Sequence, residues 1–202
     1  MTTIGFIGCS SRDKTFLMMY LGKILSMNRS VCLVTEDQWM TPALKTFELN
    51  SNFSITGLKP EEDEVGYCLL DVTEKASVIL NYSFFVSGIE RSSVEQNKRI
   101  FEAFGLLEEK TYVFLNLIMD SKINEKYLCN KFALVIRQVE VLSQYSNDND
   151  VSVMIENGYN EELDLKSMSK LYKKLLMTLL DKVADVPIKE QKRWMRLAER
   201  SK

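Results

Sequence analysis

The sequence predicts an α/β fold, in which a mostly parallel central sheet is flanked by helices on both faces. Two observations predict it. Short runs of Val, Ile, Leu and Phe recur along the chain, and they alternate with longer segments of helical spacing. Continuous apolar runs are typical of strands that are covered on both faces. The chain has 202 residues, of which 46% are apolar, which is enough for one domain with a substantial core.

The apolar runs define the predicted strands and the helical spacings define the predicted helices. Strands are predicted at residues 3–8, 31–35, 66–71, 83–87 and 111–116, with a last strand at 151–155. Helices are predicted at residues 16–25, 89–104, part of 124–142 and 163–183. Residues 38–64 are less regular, because Pro42, Gly57 and Pro60 interrupt them and an acidic run ends them.

The composition excludes several classes of function. The chain has no His, which removes Ser–His and Cys–His catalysis and His-ligated zinc. Its 26 Lys and Arg against 28 Asp and Glu argue against a nucleic-acid binder that relies on overall basicity. Cys9, Cys32, Cys68 and Cys129 form no CxxC pair, and neither a signal peptide nor a spanning segment is evident. We therefore expect free thiols and a cytoplasmic protein.

The charge pattern divides the chain into one domain, residues 1–186, and a basic C-terminal helix or tail, residues 187–202. Residues 189–202 contain six Lys or Arg and two Glu, a net charge of +4. The preceding 188 residues therefore carry a net charge of −6. The tail is either an ordinary solvated helix or a docking helix for a protein, a membrane surface or a nucleic acid. Its predicted partner-binding residues are Arg193, Trp194, Arg196 and Leu197.

Residues 8–15, Gly-Cys-Ser-Ser-Arg-Asp-Lys-Thr, lie between the first predicted strand and the first predicted helix. A phosphate-binding P-loop, G-x-x-x-x-G-K-[ST], belongs at this position. Its glycines let backbone amides surround phosphate oxygens, its Lys neutralises them and its hydroxyl holds Mg²⁺. Gly8, Lys14 and Thr15 match this motif. Asp13 replaces the second glycine and brings a carboxylate, which repels phosphate, next to the loop.

The order of these segments resembles the MinD/ParA branch of the P-loop ATPases, including the atypical CpaE/TadZ-type localisation proteins. Residues 8–15 stand in the place of the family's phosphate loop. The strand that ends at Asp71 looks like the family's Mg²⁺-supporting strand, and the strand that ends at Asn116 looks like the strand close to the adenine base. Glu36 and Asp37 follow a strand similar to the one whose acidic end lies near the attacking water.

The resemblance extends over residues 2–120 and includes the strand at residues 84–87 with the helix after it. It implies a three-layer P-loop NTPase fold, with ATP or ADP and Mg²⁺ as cofactors. Lys14 would contact the phosphates and Thr15 would ligate Mg²⁺. Asp71 would support the ion without ligating it directly. The implied nucleotide-binding residues are Gly8, Ser10, Ser11, Arg12, Asp13, Lys14, Thr15 and Asn116.

Two departures from the family pattern predict impaired or absent hydrolysis. The family's signature lysine reaches the partner subunit's phosphates, and at its position this chain has Cys9, with Arg12 as a nearby candidate substitute. Asp13 is the second departure. Together they predict at most a weak ATPase, without an assigned catalytic residue. Because relatives hold the nucleotide between two subunits, the resemblance also implies self-association.

Three functions stay open on the sequence. The first is an atypical MinD/ParA-like protein that binds ATP or ADP weakly and positions or regulates a larger assembly. The second is a pseudo-ATPase scaffold without nucleotide, and the third is an unrelated α/β domain with an accidental Lys-Thr loop. The residues also have structural interpretations: Ser11 or Asp13 can cap a helix, and Asp71 and Asn116 can end a strand.

Overall fold

The computed structural model describes residues 1–35, 49–57, 60, 65–74, 79–104, 111–117, 121–133, 139–145 and 147–201. These residues form seven strands and six helices. The strands are β1 (Thr2–Ile7), β2 (Val31–Thr35), β3 (Phe53–Thr56), β4 (Tyr67–Val72), β5 (Tyr82–Ser87), β6 (Thr111–Leu117) and β7 (Glu140–Tyr145). The helices are α1 (Arg12–Leu25), α2 (Arg91–Phe104), α3 (Glu125–Lys131), α4 (Asp148–Asn160), α5 (Lys170–Val183) and α6 (Ile188–Ala198).

The described strands form one parallel sheet in the order β3-β2-β4-β1-β5-β6-β7. Every neighbouring pair is parallel. The first strand therefore lies in the middle, with Ile4 in register with Leu69 of β4 on one side and with Tyr82 of β5 on the other. In a parallel sheet the carboxyl ends of the strands share one edge, where ligands bind in open α/β folds. The predicted α/β fold with a mostly parallel sheet is confirmed.

Helices cover both faces of the sheet, which gives three layers. On one face, α1, α4, α5 and α6 pack over a core that includes Phe6 and Leu33. On the other face, α2 and α3 pack over a second core, where the rings of Phe85 and Phe101 meet edge to face at 4.5 Å. Twelve of the fourteen residues of α1 are buried. This burial explains why the α1 sequence is apolar nearly all round.

The prediction of a last strand at residues 151–155 is wrong, because these residues lie inside α4. The Asn147 side chain accepts a hydrogen bond from the Asp150 backbone N–H at 2.9 Å and so caps a helix there. Alternation of Val and Ser fits a strand, but the buried positions follow helical spacing. These positions are Asp150, Val153, Met154 and Asn157.

The last strand that the structure describes is instead β7, which begins inside the stretch 124–142 and ends beyond it, and the helix described in that stretch is α3. Its sequence, Glu-Val-Leu-Ser-Gln-Tyr, is polar because β7 is an edge strand with one paired neighbour. The edge strand β3 also falls in a segment predicted as irregular. The helix predicted from residue 163 begins only at Lys170, after Ser169 as its N-cap. Glu36, Asp37 and the acidic run 61–64 lie outside the described residues.

The C-terminal helix α6 packs on the same core as the rest of the chain. Trp194, Met195 and Ala198 are buried against α1 and α5. The Gln191 side-chain amide donates to Asp181 of α5 at 3.0 Å. Residues 188–198 are therefore integrated into the fold by one helix face, while the opposite face is exposed. None of the helices in the described ranges is long and apolar enough to cross a membrane.

This packing predicts that Trp194→Ala destabilises the whole domain. The indole is 5% exposed, and removing a buried Trp leaves a cavity that costs about 3 to 5 kcal/mol. Leu197→Ala is the matched control, because Leu197 lies on the same helix and is 41% exposed. Chemical denaturation measures both free energies of unfolding. Equal, small losses in the two variants would show that α6 contributes no core packing.

Candidate functional site

The loop between β1 and α1 begins at a glycine that no other residue can replace without strain. Gly8 has a φ of 150°, a backbone conformation that side chains rarely adopt. A Cβ at Gly8 would lie 2.3 Å from the Val86 carbonyl oxygen of β5. The loop therefore runs in close contact with the neighbouring strand, as a phosphate-binding loop requires of its first glycine.

The loop ends in the first turn of α1, which Ser11 caps. The Ser11 hydroxyl accepts a hydrogen bond from the Lys14 backbone N–H at 3.2 Å, and the Ser11 carbonyl accepts one from the Thr15 hydroxyl at 3.0 Å. Ser11, rather than Asp13, is thus the helix cap. The positive end of the α1 dipole faces the loop, an arrangement that favours an anion.

Lys14 is buried inside the loop and paired with Asp71 of β4. The Lys14 ammonium lies 2.6 Å from Asp71 Oδ1, and the two side chains are only 1% and 5% exposed. The ammonium also donates to the Gly8 carbonyl at 2.5 Å. The Thr35 hydroxyl at the end of β2 donates to Asp71 Oδ2 at 3.0 Å. The structure thus brings three predicted site residues together at the ends of β1 and β4. They are Gly8, Lys14 and Asp71.

Asp13 lies on the other side of the loop, toward β6. The Arg12 guanidinium lies 3.7 Å from its carboxylate, and the Asn116 side chain is close enough to lower the pKa of that carboxylate. Burial raises the pKa of Asp13, and the carboxylate of Glu90 raises it further, while Arg12 and Asn116 oppose this shift. The side chain is therefore turned away from Lys14, but its charge remains next to the backbone amides of the loop.

A cavity of about 390 Å³ opens between the loop and the start of α2. It is lined by Ser10, Ser11, Arg12 and Asp13 from the loop, by Glu90, Ser93 and Asn97 beside or on α2, and by Asn116. Asn116 is 5% exposed, and its Oδ1 has no hydrogen-bond partner among the described residues. A buried acceptor without a partner is costly, so this atom fits a ligand that supplies an N–H donor. A second cavity, of about 620 Å³ between residues 162–166 and 199–201, contains none of the loop residues.

Cys9, at the position where the family has its signature lysine, is buried and held in place. Its backbone N–H donates to the Asn97 side chain at 2.6 Å, and Asn97 in turn donates to the Val86 carbonyl and the Ser87 hydroxyl. Asn97 is fully buried, so it fixes the loop to β5 through α2. The Arg12 side chain, the candidate substitute for the signature lysine, is 44% exposed and lies 3.7 Å from the Asp13 carboxylate.

Two residues that support the site, Thr35 and Asn97, are absent from the predicted set. Their sequence signals are weak: Thr35 ends an apolar run, and Asn97 is a polar residue on the inner face of an amphipathic helix. Of the predicted partner-binding residues, Trp194 is in the core, while Arg193, Arg196 and Leu197 are on the exposed face of α6. None of the four lines the cavity beside the loop.

Comparison of the sequence with known proteins gives no match, because neither a family model nor a curated protein is similar enough to it. The fold, in contrast, matches solved structures over most of their length. A ParA family ATPase from Chlorobium tepidum superposes with a TM-score of 0.59 at 12% identity, over 87% of this chain and 96% of that one. The MinC:MinD cell division complex of Aquifex aeolicus gives 0.61 at 9% identity, over 93% and 98%.

A third structure is a putative plasmid partition protein from Borrelia burgdorferi bound to AMPPNP. It gives a TM-score of 0.60 at 13% identity, over 90% of this chain and 98% of that one. At such low identity these likenesses show the fold alone. The chain therefore has the fold of the MinD/ParA-type P-loop ATPases, and the predicted resemblance is confirmed at that level.

Proposed function

We propose that this protein binds an Mg²⁺-complexed adenine nucleotide weakly at the loop after β1, with little or no hydrolysis, and positions or regulates a larger assembly. The observation that carries the proposal is the placement of Lys14 and Thr15 at the start of α1 beside Asp71. A lysine, a hydroxyl and a carboxylate in this arrangement are what a P-loop uses for phosphate and Mg²⁺. The fold shared with the AMPPNP-bound partition protein supports it.

The residues present fit such a ligand in most respects. Lys14 would neutralise phosphate oxygens, and the amides of residues 10–15 would surround them. Thr15 would turn its hydroxyl from Ser11 to Mg²⁺, and Asp71 would support the ion. The unpartnered Oδ1 of Asn116 would accept a hydrogen bond from the exocyclic amine of the base.

Two features support weak binding and impaired hydrolysis. Asp13 adds a negative charge beside the phosphates. The Arg12 guanidinium, 3.7 Å from the Asp13 carboxylate, offsets this charge only in part. Cys9 has no charge to stabilise a phosphoryl group in transfer, and its side chain is buried rather than extended from the surface. Nucleotide would then act by selecting a conformation or a self-associated state, from which protein partners are recognised. The exposed Arg193, Arg196 and Leu197 of α6 offer one surface for such partners.

A nucleotide-free scaffold is the second candidate function. The observation that favours it is the Lys14–Asp71 ion pair, because Asp71 already neutralises Lys14 without a phosphate. In this alternative the loop is retained for its packing against β5, and the protein acts through its surfaces alone. The two candidates differ in whether phosphate can replace Asp71 at Lys14.

Lys14→Ala separates these candidates. We expect wild-type protein to bind Mg·ADP and Mg·ATP saturably, and the variant to lose binding, because the amides alone cannot neutralise the phosphates. Isothermal calorimetry measures the affinities, and thermal shift reports whether the variant is folded. Lys166→Ala is the control, since Lys166 is exposed and distant in sequence. Wild-type protein that fails to bind at millimolar nucleotide would leave the scaffold as the function.

Asp13 predicts a distinctive pH dependence of nucleotide affinity. Because burial raises its pKa, Asp13 takes up a proton as the pH falls through that raised value, and its repulsion of phosphate disappears. Affinity should therefore rise on acidification from neutral pH toward that raised value. In Asp13→Asn the affinity should be higher than in wild-type protein at neutral pH, converge with it on acidification and lack this contribution, which also controls for titration of the nucleotide itself. Calorimetry across this range would contradict the account if both proteins showed one identical profile.

A further inference from the structure

The Cys9 thiol lines the cavity beside the loop, and none of the nucleotide contacts proposed above uses it. The Cys9 side chain is 6% exposed and belongs to the lining of the cavity of about 390 Å³. The thiol donates to the Ser93 carbonyl oxygen at 4.0 Å, and Ser93 lines the same cavity. A thiol is a weak hydrogen-bond donor, so this contact gives way easily when a ligand meets the sulfur.

A separate observation in the same cavity points to a ligand that carries an N–H donor. Asn116 lines the cavity and is 5% exposed, and its Oδ1 has no hydrogen-bond partner among the described residues. A buried carbonyl oxygen without a donor is costly, so an amide N–H of a ligand that reaches it is favoured. The volume of the cavity lies within the range of about 300 to 1,000 Å³ that small-molecule sites occupy.

The charged groups that line the cavity are of both signs. The Arg12 guanidinium presents N–H donors that suit a carboxylate of a ligand. The carboxylates of Asp13 and Glu90 are near enough to each other that Glu90 raises the pKa of Asp13, and they attract an ammonium group. A ligand complementary to all these groups carries a carboxylate, an ammonium and an amide. These are the groups of a small zwitterionic peptide.

We propose that Cys9 is a modification site, at which the disulfide of a small zwitterionic peptide binds in the cavity and forms a mixed disulfide with the protein. The Cys9 thiolate attacks one sulfur of the ligand, so that a bond forms between the two sulfurs while the ligand's own S–S bond breaks. The other half of the ligand leaves as a thiolate and takes up the proton that Cys9 released. The Cys9 sulfur is oxidised, the departing sulfur is reduced, and the ligand disulfide is the oxidant.

This inference goes beyond the proposed function and does not depend on nucleotide binding. The attached peptide would fill the cavity that receives the rest of the nucleotide under the proposed function. Modification of Cys9 would then exclude nucleotide and couple the site to the redox state of the surroundings.

Cys129 provides an internal control for simple exposure. It is more exposed than the other three cysteines, which are all buried, and it is not among the residues that line this cavity. Burial raises the pKa of the Cys129 thiol, which lowers its thiolate fraction and its intrinsic rate of exchange. The two cysteines are therefore compared through the ratio of two reagents, because intrinsic reactivity cancels in that ratio.

The test treats the full chain with oxidised glutathione or with oxidised mercaptoethanol, which is smaller and uncharged. Peptide mass spectrometry gives the rate of modification at each cysteine. We expect the ratio of the glutathione rate to the mercaptoethanol rate to be about tenfold or more higher at Cys9 than at Cys129, because the cavity binds the peptide. In protein unfolded by guanidinium chloride, the two cysteines should give the same ratio.

Arg12→Gln tests the recognition of the carboxylate. It should lower the glutathione rate at Cys9 about threefold or more, because the glutamine side chain has no positive charge. The oxidised mercaptoethanol rate at Cys9 should stay unchanged, since that reagent has no carboxylate. Arg196→Gln is the matched control, because Arg196 is exposed on α6 and is not part of the cavity lining. It should leave both rates unchanged.

The outcomes separate this inference from the proposed function. Equal reagent ratios at Cys9 and Cys129 in the folded protein would overturn the inference, because Cys9 would then react without a binding site. Absence of modification at Cys9 would overturn it as well. Selective modification of Cys9 in a protein that binds no nucleotide would support the inference while the proposed function fails.

Discussion

The ion pair between Lys14 and Asp71 is the interaction on which the carboxyl edge of the sheet depends. It joins the first turn of α1 to the end of β4, and Thr35 extends it to β2. A buried charge is tolerated only when it is paired and hydrogen-bonded, so each of these residues requires the others. The loop conformation is linked to this pair. Gly8 lies close to β5, and its carbonyl accepts a hydrogen bond from the inward-pointing Lys14 ammonium.

The two sides of the loop consequently differ in character. On the β4 side, Lys14 and Asp71 are paired and buried, and neither of them lines the cavity of about 390 Å³. On the β5 and β6 side, a cavity is lined by polar groups that include Asp13 and Asn116, and the buried Oδ1 of Asn116 has no hydrogen-bond partner among the described residues. Under the proposed function, Lys14 on the paired side would meet the phosphates, and the cavity on the other side would receive the rest of the ligand.

The sequence predicts those parts of the fold in which burial and spacing agree. The apolar runs of β1, β2, β4, β5 and β6 are covered on both faces, and their positions are predicted well. An edge strand has one unpaired side and can be polar, so the apolar pattern does not predict β7. The stretch Val151–Ile155 is predicted as a strand, although Asn147 caps a helix that contains it. In the site, the spacing of Gly8, Lys14 and Thr15 along the chain is what predicts Lys14 as a site residue. The contacts of Thr35 and Asn97 depend on neighbouring strands and helices that spacing along the chain does not specify.

The most direct test of the account is a double-mutant cycle on the Lys14–Asp71 pair in the ligand-free protein. Unfolding free energies of Lys14→Met, Asp71→Asn and the double variant give the coupling between the two side chains. The account predicts a coupling of about 2 kcal/mol or more, because each single variant leaves a buried group without its partner. The exposed Lys131–Glu95 pair, at 3.8 Å, should give a coupling of about 0.5 kcal/mol or less. Additive losses at Lys14 and Asp71 would contradict the claim that this pair holds the site together.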